Sequence, residues 1–169
     1  MNSEQLRALQ SPLKEKYKDN PESAVITLRA RGKIGEGVTC KVDTGSKIAE
    51  AGLHPATGGD GHSLCSGDML LEALSACAGV TLNAVATAIE ITLDDATITA
   101  EGDLDFRGTL GVSKEAPVGF KEIRLHYDLK TGASEDEIAT LLKLTERYCV
   151  VFQTLSSGNN ISVSKTIDQ

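Results

Sequence analysis

The sequence has little positive charge. It contains 17 Lys and Arg against 24 Asp and Glu, which gives a formal net charge of -7 and a pI of about 5.0. Nucleic acids and anionic membrane surfaces bind basic patches, so this balance disfavours both as partners. A redox-sensing DNA-binding regulator is disfavoured too, because it would need a basic recognition helix.

The sequence also shows no segment typical of a secretory leader or of a membrane span. The N-terminal segment mixes both charge signs and has no apolar core. The longest apolar run, 73–89, is dominated by alanine and contains several polar residues, which is more typical of a buried helix than of a membrane span. These features predict a soluble, cytoplasmic protein whose four cysteines are mostly reduced.

No repeat, low-complexity tract or linker divides the chain. A chain of 169 residues with 40% apolar content can bury one continuous core. We therefore expect a single domain over residues 1–169, in which residues 1–20 form a helical extension.

Alternating apolar residues predict strands, including a hairpin before residue 43 and a final strand in which Ile161, Val163 and Ile167 face inward. The predicted strands before the final one lie near 25–31, 38–43, 96–107 and 121–130. In the strand near 121–130 the outward positions include His126, which is expected to be a solvated surface residue.

Helical periodicity predicts two further helices. One covers 69–91 with Ser66 as its N-cap, and its apolar residues occupy nearly every face. The other opens with a capping box formed by Ser134 and Glu137 and carries Cys149 near its last turn. Together with the strands, this pattern predicts an α+β fold with antiparallel sheets packed on a long buried helix that bears Cys77.

The cysteines do not by themselves indicate catalysis. Cys77 lies inside the most apolar helix, where a cysteine is usually a small hydrophobic residue. Cys40 is expected to point to the core from its strand. Cys77 and Cys149 are 149 − 77 = 72 positions apart and form no C-x-x-C motif, so a zinc site built on this pair is not expected.

A glycine-rich loop over 52–67 holds the remaining cysteine. His62 and Cys65 form an H-x-x-C there, close to His54 and Asp60. These side chains are all possible metal ligands. A metal site in this loop therefore stays open as an alternative.

Two cysteine-bearing segments resemble the OsmC/Ohr family. GGDGHSLCSGDMLLEALSACAGVTL is similar to that family's P-x-x-L-[LF]-x-A-x-x-x-[AG]-C helix and the Gly-Gly loop before it. TERYCVVFQTL is similar to its A-E-R-x-C-P-V-S-x-[TA]-L segment, and SSGNNISVSKTI resembles its last strand. The resemblance covers about residues 25–168.

The chain also departs from that pattern. Gly67 and Asp68 stand where the Ohr branch has proline and glutamate, and Val151 and Phe152 replace small residues. These differences favour an OsmC-like side branch over the strict Ohr branch.

The resemblance implies a thiol peroxidase in which Cys77 is peroxidatic and Cys149 is resolving. The Cys77 thiolate would reduce an organic hydroperoxide to an alcohol, and Cys149 would condense with the resulting sulfenic acid. An external dithiol of the lipoyl or thioredoxin type would then reduce the disulfide. The resemblance implies no cofactor and no metal, and it implies an intertwined homodimer with two long cysteine helices at its centre.

Cys77 needs a partner that stabilises its thiolate, because it lies away from its helix N-terminus and burial raises a thiol pKa. The family uses an arginine from the N-terminal hairpin region, held by an acidic residue at the start of the cysteine helix. The resemblance assigns these roles to Arg31 and Asp68, with Arg29 and Arg107 as alternatives. The competing interpretations are ordinary exposed arginines and a carboxylate that interacts with the helix dipole.

A non-enzymatic function is the main alternative. The same dimeric fold could hold a fatty or aromatic ligand in an apolar pocket, with cysteines that are incidental or redox-sensing. Turnover of hydroperoxide in the presence of a dithiol would distinguish an enzyme from such a binding protein.

Overall fold

A computed structural model describes residues 2–19, 31–34, 39–43, 48–111 and 113–167 of the chain. Within these residues it contains both helices and strands, and a 3-10 helix at Pro55–Thr57. In chain order the elements are α1 (Ser3–Asp19), β1 (Arg31–Ile34), β2 (Thr39–Asp43), β3 (Ile48–Gly52), β4 (Leu64–Cys65), α2 (Ser66–Ala88), β5 (Asp95–Leu104), α3 (Phe106–Thr109), β6 (Phe120–Lys130), α4 (Glu135–Tyr148) and α5 (Val150–Ser156).

The strands form two sheets. In the first, β1, β2 and β3 are antiparallel neighbours, and the short β4 runs parallel to β3. The predicted hairpin is confirmed as β1 and β2, although its first strand lies at 31–34, and residues 25–30 are outside the described part. The sequence pattern does not predict β3, because its alanine, glutamate and glycine residues have low strand propensity.

The second sheet is the long antiparallel pair of β5 and β6. Along β6, the burial of successive residues alternates, and His126 is exposed, as the period-two pattern predicts. On the exposed face, Arg124 Nη2 donates to Asp103 Oδ1 at 3.0 Å. The other face of this sheet covers the helices.

The core lies along one stripe of α2. Every fourth residue is buried there, and Leu82 packs against Leu141 of α4. The helix begins at Ser66 with Cys65 as its N-cap, so the predicted N-cap is one residue too late. The buried residues of the stripe are Leu74, Ala78, Leu82 and Ala86.

The opposite face of α2 is not buried in a single copy of the chain. Val80 on this face is 73% exposed, and Ala73, Ala76 and Ala84 are also exposed. The helix is long and apolar enough to cross a membrane, but core helices of soluble proteins share that property. The apolar residues predicted on nearly every face of α2 are therefore only partly covered within one chain.

The C-terminal part confirms one prediction and corrects another. The Ser134 side chain accepts the Glu137 N–H, and Glu137 Oε2 accepts the Ser134 N–H, so the predicted capping box opens α4. The predicted final strand is wrong for a single chain, because residues 157–167 form no strand and Val163 is 93% exposed. A strand needs a neighbour for its backbone groups, and this segment pairs with none of the described strands.

Candidate active site

The second cysteine lies at a break between two helices. Cys149 is the C-cap of α4 and the N-cap of α5, and its extended backbone (φ −73°, ψ 107°) separates them. Its N–H donates to the Thr145 carbonyl at 2.9 Å, and its side chain is fully buried. Because α5 starts anew at Val150, its first N–H groups have no acceptor within the helix.

The first N–H groups of α5 act on two sulfur atoms. The thiols of Cys77 and Cys149 shift each other's pKa, so the fold brings together two residues that are 149 − 77 = 72 positions apart. The backbone N–H groups of Val151 and Val150 lower the pKa of Cys77, and those of Phe152 and Val151 act in the same direction on the pKa of Cys149. The start of α5 therefore forms a cradle of backbone donors around the cysteine pair.

The surroundings shift the pKa values of the two thiols in opposite directions. Burial raises the pKa of Cys77, but the donors from Val151, Cys149 and Val150 outweigh it and place this pKa below its ordinary value. Burial raises the pKa of Cys149, and the neighbouring Cys77 thiolate adds to that rise. Within the pair, the lower pKa therefore belongs to Cys77 and the higher pKa to Cys149.

Burial raises the pKa of Cys77, as its position in α2 predicts, but the described groups that reverse this rise are mainly backbone N–H groups and not the expected arginine. The compensation comes from another helix and from backbone groups, so no side-chain type in the sequence marks it. Val150 also stands where the OsmC/Ohr motif has proline, a residue without an N–H. One of the donors at Cys77 therefore depends on this departure from the motif.

A hydroxyl and an apolar cavity complete the surroundings of the pair. Thr81, one turn after Cys77, places its hydroxyl at the Cys77 sulfur and donates to the Cys77 carbonyl at 2.8 Å. A cavity of about 310 Å³ lies between α2, β6 and α5. Its walls include Leu74 and Phe152, which are one turn from Cys77 and Cys149 respectively.

Asp68 lies in the first turn of α2 and is exposed. It precedes Cys77 by 77 − 68 = 9 residues, which separates the two by roughly 13 Å along the helix axis. It makes no ion pair or hydrogen bond with any residue that the structure describes. Direct contact between this carboxylate and the Cys77 sulfur is therefore ruled out by distance.

The predicted arginines are distributed differently. Arg31 lies in β1, opposite Asp43 of β2, but its side chain is outside the described part, as is all of Arg29. Arg107 is held by Asp105, with 2.6 Å between Nη2 and Oδ2, and this hydrogen bond lowers the pKa of Asp105 to about 2. Across the described residues, no arginine is among the groups that shift the Cys77 pKa.

Cys65 is remote from the pair. It precedes Cys77 by 12 residues of continuous helix, or roughly 18 Å along the axis, which exceeds the span of a disulfide. It lines a separate cavity of about 400 Å³. In this cavity the His54 ring stacks on Phe106, with 4.8 Å between ring centroids.

The glycine-rich loop does not assemble a metal site. His54 Nδ1 accepts the N–H of Ala56 at 3.0 Å, and the exposed His62 pairs with Asp60 at 3.5 Å. In the part of the chain that the structure describes, no three side chains of His, Cys, Asp or Glu converge as metal ligands. The open alternative of a metal bound at His62 and Cys65 thus gains no support from the geometry.

Comparisons with known proteins identify the family of this chain. The family described as OsmC-like protein matches residues 59–164. A hydroperoxide reductase from Mycoplasma genitalium is 28% identical over 97 residues, which is 57% of this chain and 65% of that protein. The chain therefore aligns with slightly less than two thirds of that relative.

Solved structures share the fold. An OsmC-like protein from Mycoplasma pneumoniae aligns over 78% of this chain and 88% of its own, with a TM-score of 0.66 and 20% identity. An organic hydroperoxide resistance protein from Legionella pneumophila aligns over 78% of this chain and 90% of its own, with a TM-score of 0.61 and 21% identity. The family match covers more than half of the sequence and includes both cysteines, and the chain therefore belongs to the OsmC-like protein family.

Proposed function

We propose that this protein is a thiol peroxidase that reduces organic hydroperoxides through Cys77 and Cys149. The observation that carries the proposal is the contact between two thiols of opposite acidity, with the lowered pKa on Cys77 and the raised pKa on Cys149. A nucleophilic cysteine must be a thiolate, whereas a thiol that acts second can stay protonated until it is needed. The relative named hydroperoxide reductase supports a peroxide-related role.

The reaction runs in two steps. The Cys77 thiolate attacks the terminal peroxide oxygen, the O–O bond breaks, and the alkoxide leaves and takes a proton, so that Cys77 becomes a sulfenic acid. Cys149 then attacks the Cys77 sulfur, the S–O bond breaks, and the oxygen leaves as water with the Cys149 proton. An external dithiol of the lipoyl or thioredoxin type reduces the disulfide, so neither a metal nor an organic cofactor takes part.

The cavity beside the pair fits an organic substrate better than hydrogen peroxide. Its volume is about 310 Å³, and six of its nine lining residues, from α2, β6 and α5, have apolar side chains. Burial of an apolar tail contributes about 25 cal/mol per Å² to binding, a term that hydrogen peroxide lacks. Its apolar lining residues are Leu74, Phe120, Ile123, Leu125, Phe152 and Leu155.

Arg31, oriented by Asp68, would lower the pKa of the Cys77 thiol further. The backbone cradle lowers the Cys77 pKa without them, so an arginine would act on a thiol whose pKa is already lowered. An arginine fork can bind a carboxylate and a thiolate at once.

A homodimer in the cytoplasm is the proposed working form. The exposed apolar face of α2 around Val80 and the unpaired segment with Ile161 and Val163 are both unusual surfaces for an isolated monomer. A second copy could cover the first with its own α2 and pair with the second as a strand. These surfaces are where the family's intertwined arrangement would bring two copies together.

The test is hydroperoxide consumption by purified protein with a lipoyl-type dithiol. Wild type should turn over, and Cys77→Ser should not, because a serine hydroxyl without a base is a far weaker nucleophile than a thiolate. Cys149→Ser should consume about one equivalent and then accumulate sulfenic and sulfinic Cys77. Cys65→Ser is the matched control and should turn over like wild type. A dominant Cys65–Cys77 disulfide in the oxidised protein, or full turnover by Cys77→Ser, would contradict the proposal.

A binding protein remains the second candidate because of the larger cavity. That cavity of about 400 Å³ lies away from the cysteine pair and is lined by Leu53, Leu70 and Phe106. If binding is the function, Cys77→Ser should bind a fluorescent fatty acid as tightly as wild type, and wild type should show no turnover. Turnover by wild type alone would favour the peroxidase.

A further inference from the structure

Phe120 of β6 borders both of the cavities described above. Among the described residues, it is the one that lines both the cavity of about 310 Å³ beside the cysteine pair and the cavity of about 400 Å³ near His54. Its side chain is half-buried. The position of this aromatic ring therefore determines how far a ligand in the first cavity can extend toward the second.

A β-bulge in β6 sets the direction of this side chain. Leu104 of β5 pairs with Phe120, whereas its neighbour Asp103 pairs with Glu122, so Lys121 is an extra residue in the ladder. The period-two alternation of the rest of β6 would otherwise place Phe120 on the exposed face of the sheet. Bulges next to active sites often re-aim a side chain in this way.

The ring of Phe120 fills the gap between β5 and the start of α2. A Cβ atom added to Gly102 of β5 would lie 2.5 Å from Phe120 Cε1 and 3.3 Å from Leu71 Cδ2 of α2. A Cβ atom added to Gly67, also in α2, would lie 3.5 Å from Phe120 Cζ. The ring therefore lies against the backbone of β5, where only glycine leaves room for it, and reaches the first turn of α2.

The Phe120 ring closes the cysteine cavity on the N-terminal side of Cys77. Leu74, one turn before Cys77, lines this cavity, and the ring lies at the level of Leu71, earlier on the same helix. Leu71 precedes Cys77 by 77 − 71 = 6 residues, or roughly 9 Å along the helix axis. An extended chain advances about 1.2 Å per bond, given about 3.5 Å for the three bonds of a residue, so a tail of about seven or eight carbons reaches the ring.

We propose that the Phe120 ring sets the longest substrate tail that the cavity accepts. Primary alkyl hydroperoxides with up to about eight carbons fit, and longer ones gain nothing from their extra length. The inference rests on the proposed peroxidase function, which places the peroxide group at Cys77 and the tail in the cavity beside it. Removal of the ring would join the two cavities and let a longer tail continue past Gly67 toward His54.

Tail length has a measurable effect on binding because each CH₂ group that leaves water contributes to affinity. A fully buried CH₂ increases the affinity about fourfold. In the wild-type protein, affinity should therefore rise by up to about fourfold per carbon until the tail meets the Phe120 ring. Beyond that length it should level off, because further carbons stay in water. In Phe120→Ala the rise should continue.

The first test measures binding alone, in the Cys77→Ser background, by isothermal titration calorimetry. Primary alcohols from butanol to dodecanol stand for the alcohol product of the reaction. Cys77→Ser alone should reach its plateau near octanol, whereas Cys77→Ser with Phe120→Ala should bind dodecanol about tenfold or more tightly than octanol. Phe106→Ala is the matched control, because Phe106 lines the cavity near His54 and not the cysteine cavity. It removes the same ring and should keep the plateau near octanol.

The second test measures kcat/KM for butyl, octyl and dodecyl hydroperoxide with a lipoyl-type dithiol and intact cysteines. Phe120→Ala should raise kcat/KM for the dodecyl compound relative to the octyl compound by about tenfold or more, whereas wild type and Phe106→Ala should not separate the two. Thermal midpoints identify a variant that does not fold. In that case Phe120→Leu, which keeps an apolar but shorter side chain, takes the place of Phe120→Ala and should give a smaller shift in the same direction.

The outcomes separate this inference from the proposed function. The length limit is overturned if affinity in Cys77→Ser keeps rising to dodecanol, if a folded Phe120 variant leaves the plateau in place, or if Phe106→Ala gives the same shift. Should wild type still turn over hydroperoxide, the peroxidase proposal stands. If the plateau with alcohols appears and moves as expected but wild type consumes no hydroperoxide, the peroxidase proposal fails, and the length limit holds as a property of the binding cavity.

Discussion

Replacing Val150 with proline tests whether backbone amides activate Cys77. The Val150 N–H is one of the donors to the Cys77 sulfur, and proline removes this N–H alone. Position 150 is the first residue of α5, where proline is well tolerated. The preceding Cys149 already has the extended backbone that a residue before proline adopts, and the Val150 side chain is 68% exposed. The substitution should therefore leave the fold intact.

The magnitude follows from the strength of one hydrogen bond. A hydrogen bond to a charged group contributes about 1.5 to 3 kcal/mol, and solvent around the half-buried Cys77 favours the low end. At 1.36 kcal/mol per unit, the Cys77 pKa should rise by about one unit. The contribution of Val151 is larger and remains in place.

The direction of the change in the Cys77 pKa gives the expected pH dependence. A raised pKa means less thiolate at pH values below it, by about tenfold for one unit. The remaining thiolate is more nucleophilic, since nucleophilicity rises with pKa with a Brønsted coefficient of about 0.4 to 0.5. At pH values well below the wild-type pKa, the rate with hydroperoxide should therefore fall by only about three- to fourfold, and the loss should vanish at high pH.

The assay is alkylation of Cys77 by iodoacetamide as a function of pH, read by mass spectrometry of the Cys77 peptide. Val150→Ala is the matched control, because it removes the same side chain and keeps the N–H. Its titration midpoint should equal that of wild type, whereas the Val150→Pro midpoint should move up. Equal midpoints for the two variants would refute activation by this amide.

Two further predictions concern the effect of Arg31 on the Cys77 pKa and the assembly of the chain into a dimer. Arg31→Ala should raise the Cys77 pKa in the same titration, because it removes the proposed cation, whereas Arg124→Ala, whose guanidinium is paired on the exposed face of the second sheet, should not. A midpoint that Arg31→Ala leaves unmoved would assign activation to the amides alone. Val80→Glu should convert a dimer into monomers by analytical ultracentrifugation, because a charge would be buried between two copies of α2. Leu110→Glu, at a similarly exposed apolar residue, should not, and a wild-type monomer would contradict the dimer.

Local patterns in the sequence predict most of the elements. The alternation in β6, the apolar stripe of α2 and the capping box of Ser134 and Glu137 each depend on residues within a few positions of one another, so composition and spacing determine them. The similarity of the two cysteine segments to one family was also visible in the sequence. The predicted final strand failed because a strand requires a neighbour, and the sequence does not say whether that neighbour belongs to the same chain.

The chemistry of the pair, by contrast, is decided by tertiary structure. Viewed along α2, Cys77 is a thiol in an apolar helix, and that setting predicts a raised pKa. The lowered pKa is due to the Val151 N–H, the Cys149 thiol and the Val150 N–H, and α5 supplies these N–H groups because α4 ends at Cys149 and α5 begins there. Every residue except proline has an N–H, so residue identity cannot mark which donors will meet a sulfur 72 positions away. The sequence determines which cysteines are present, and the packing of α5 against α2 determines which of the two has the lower pKa.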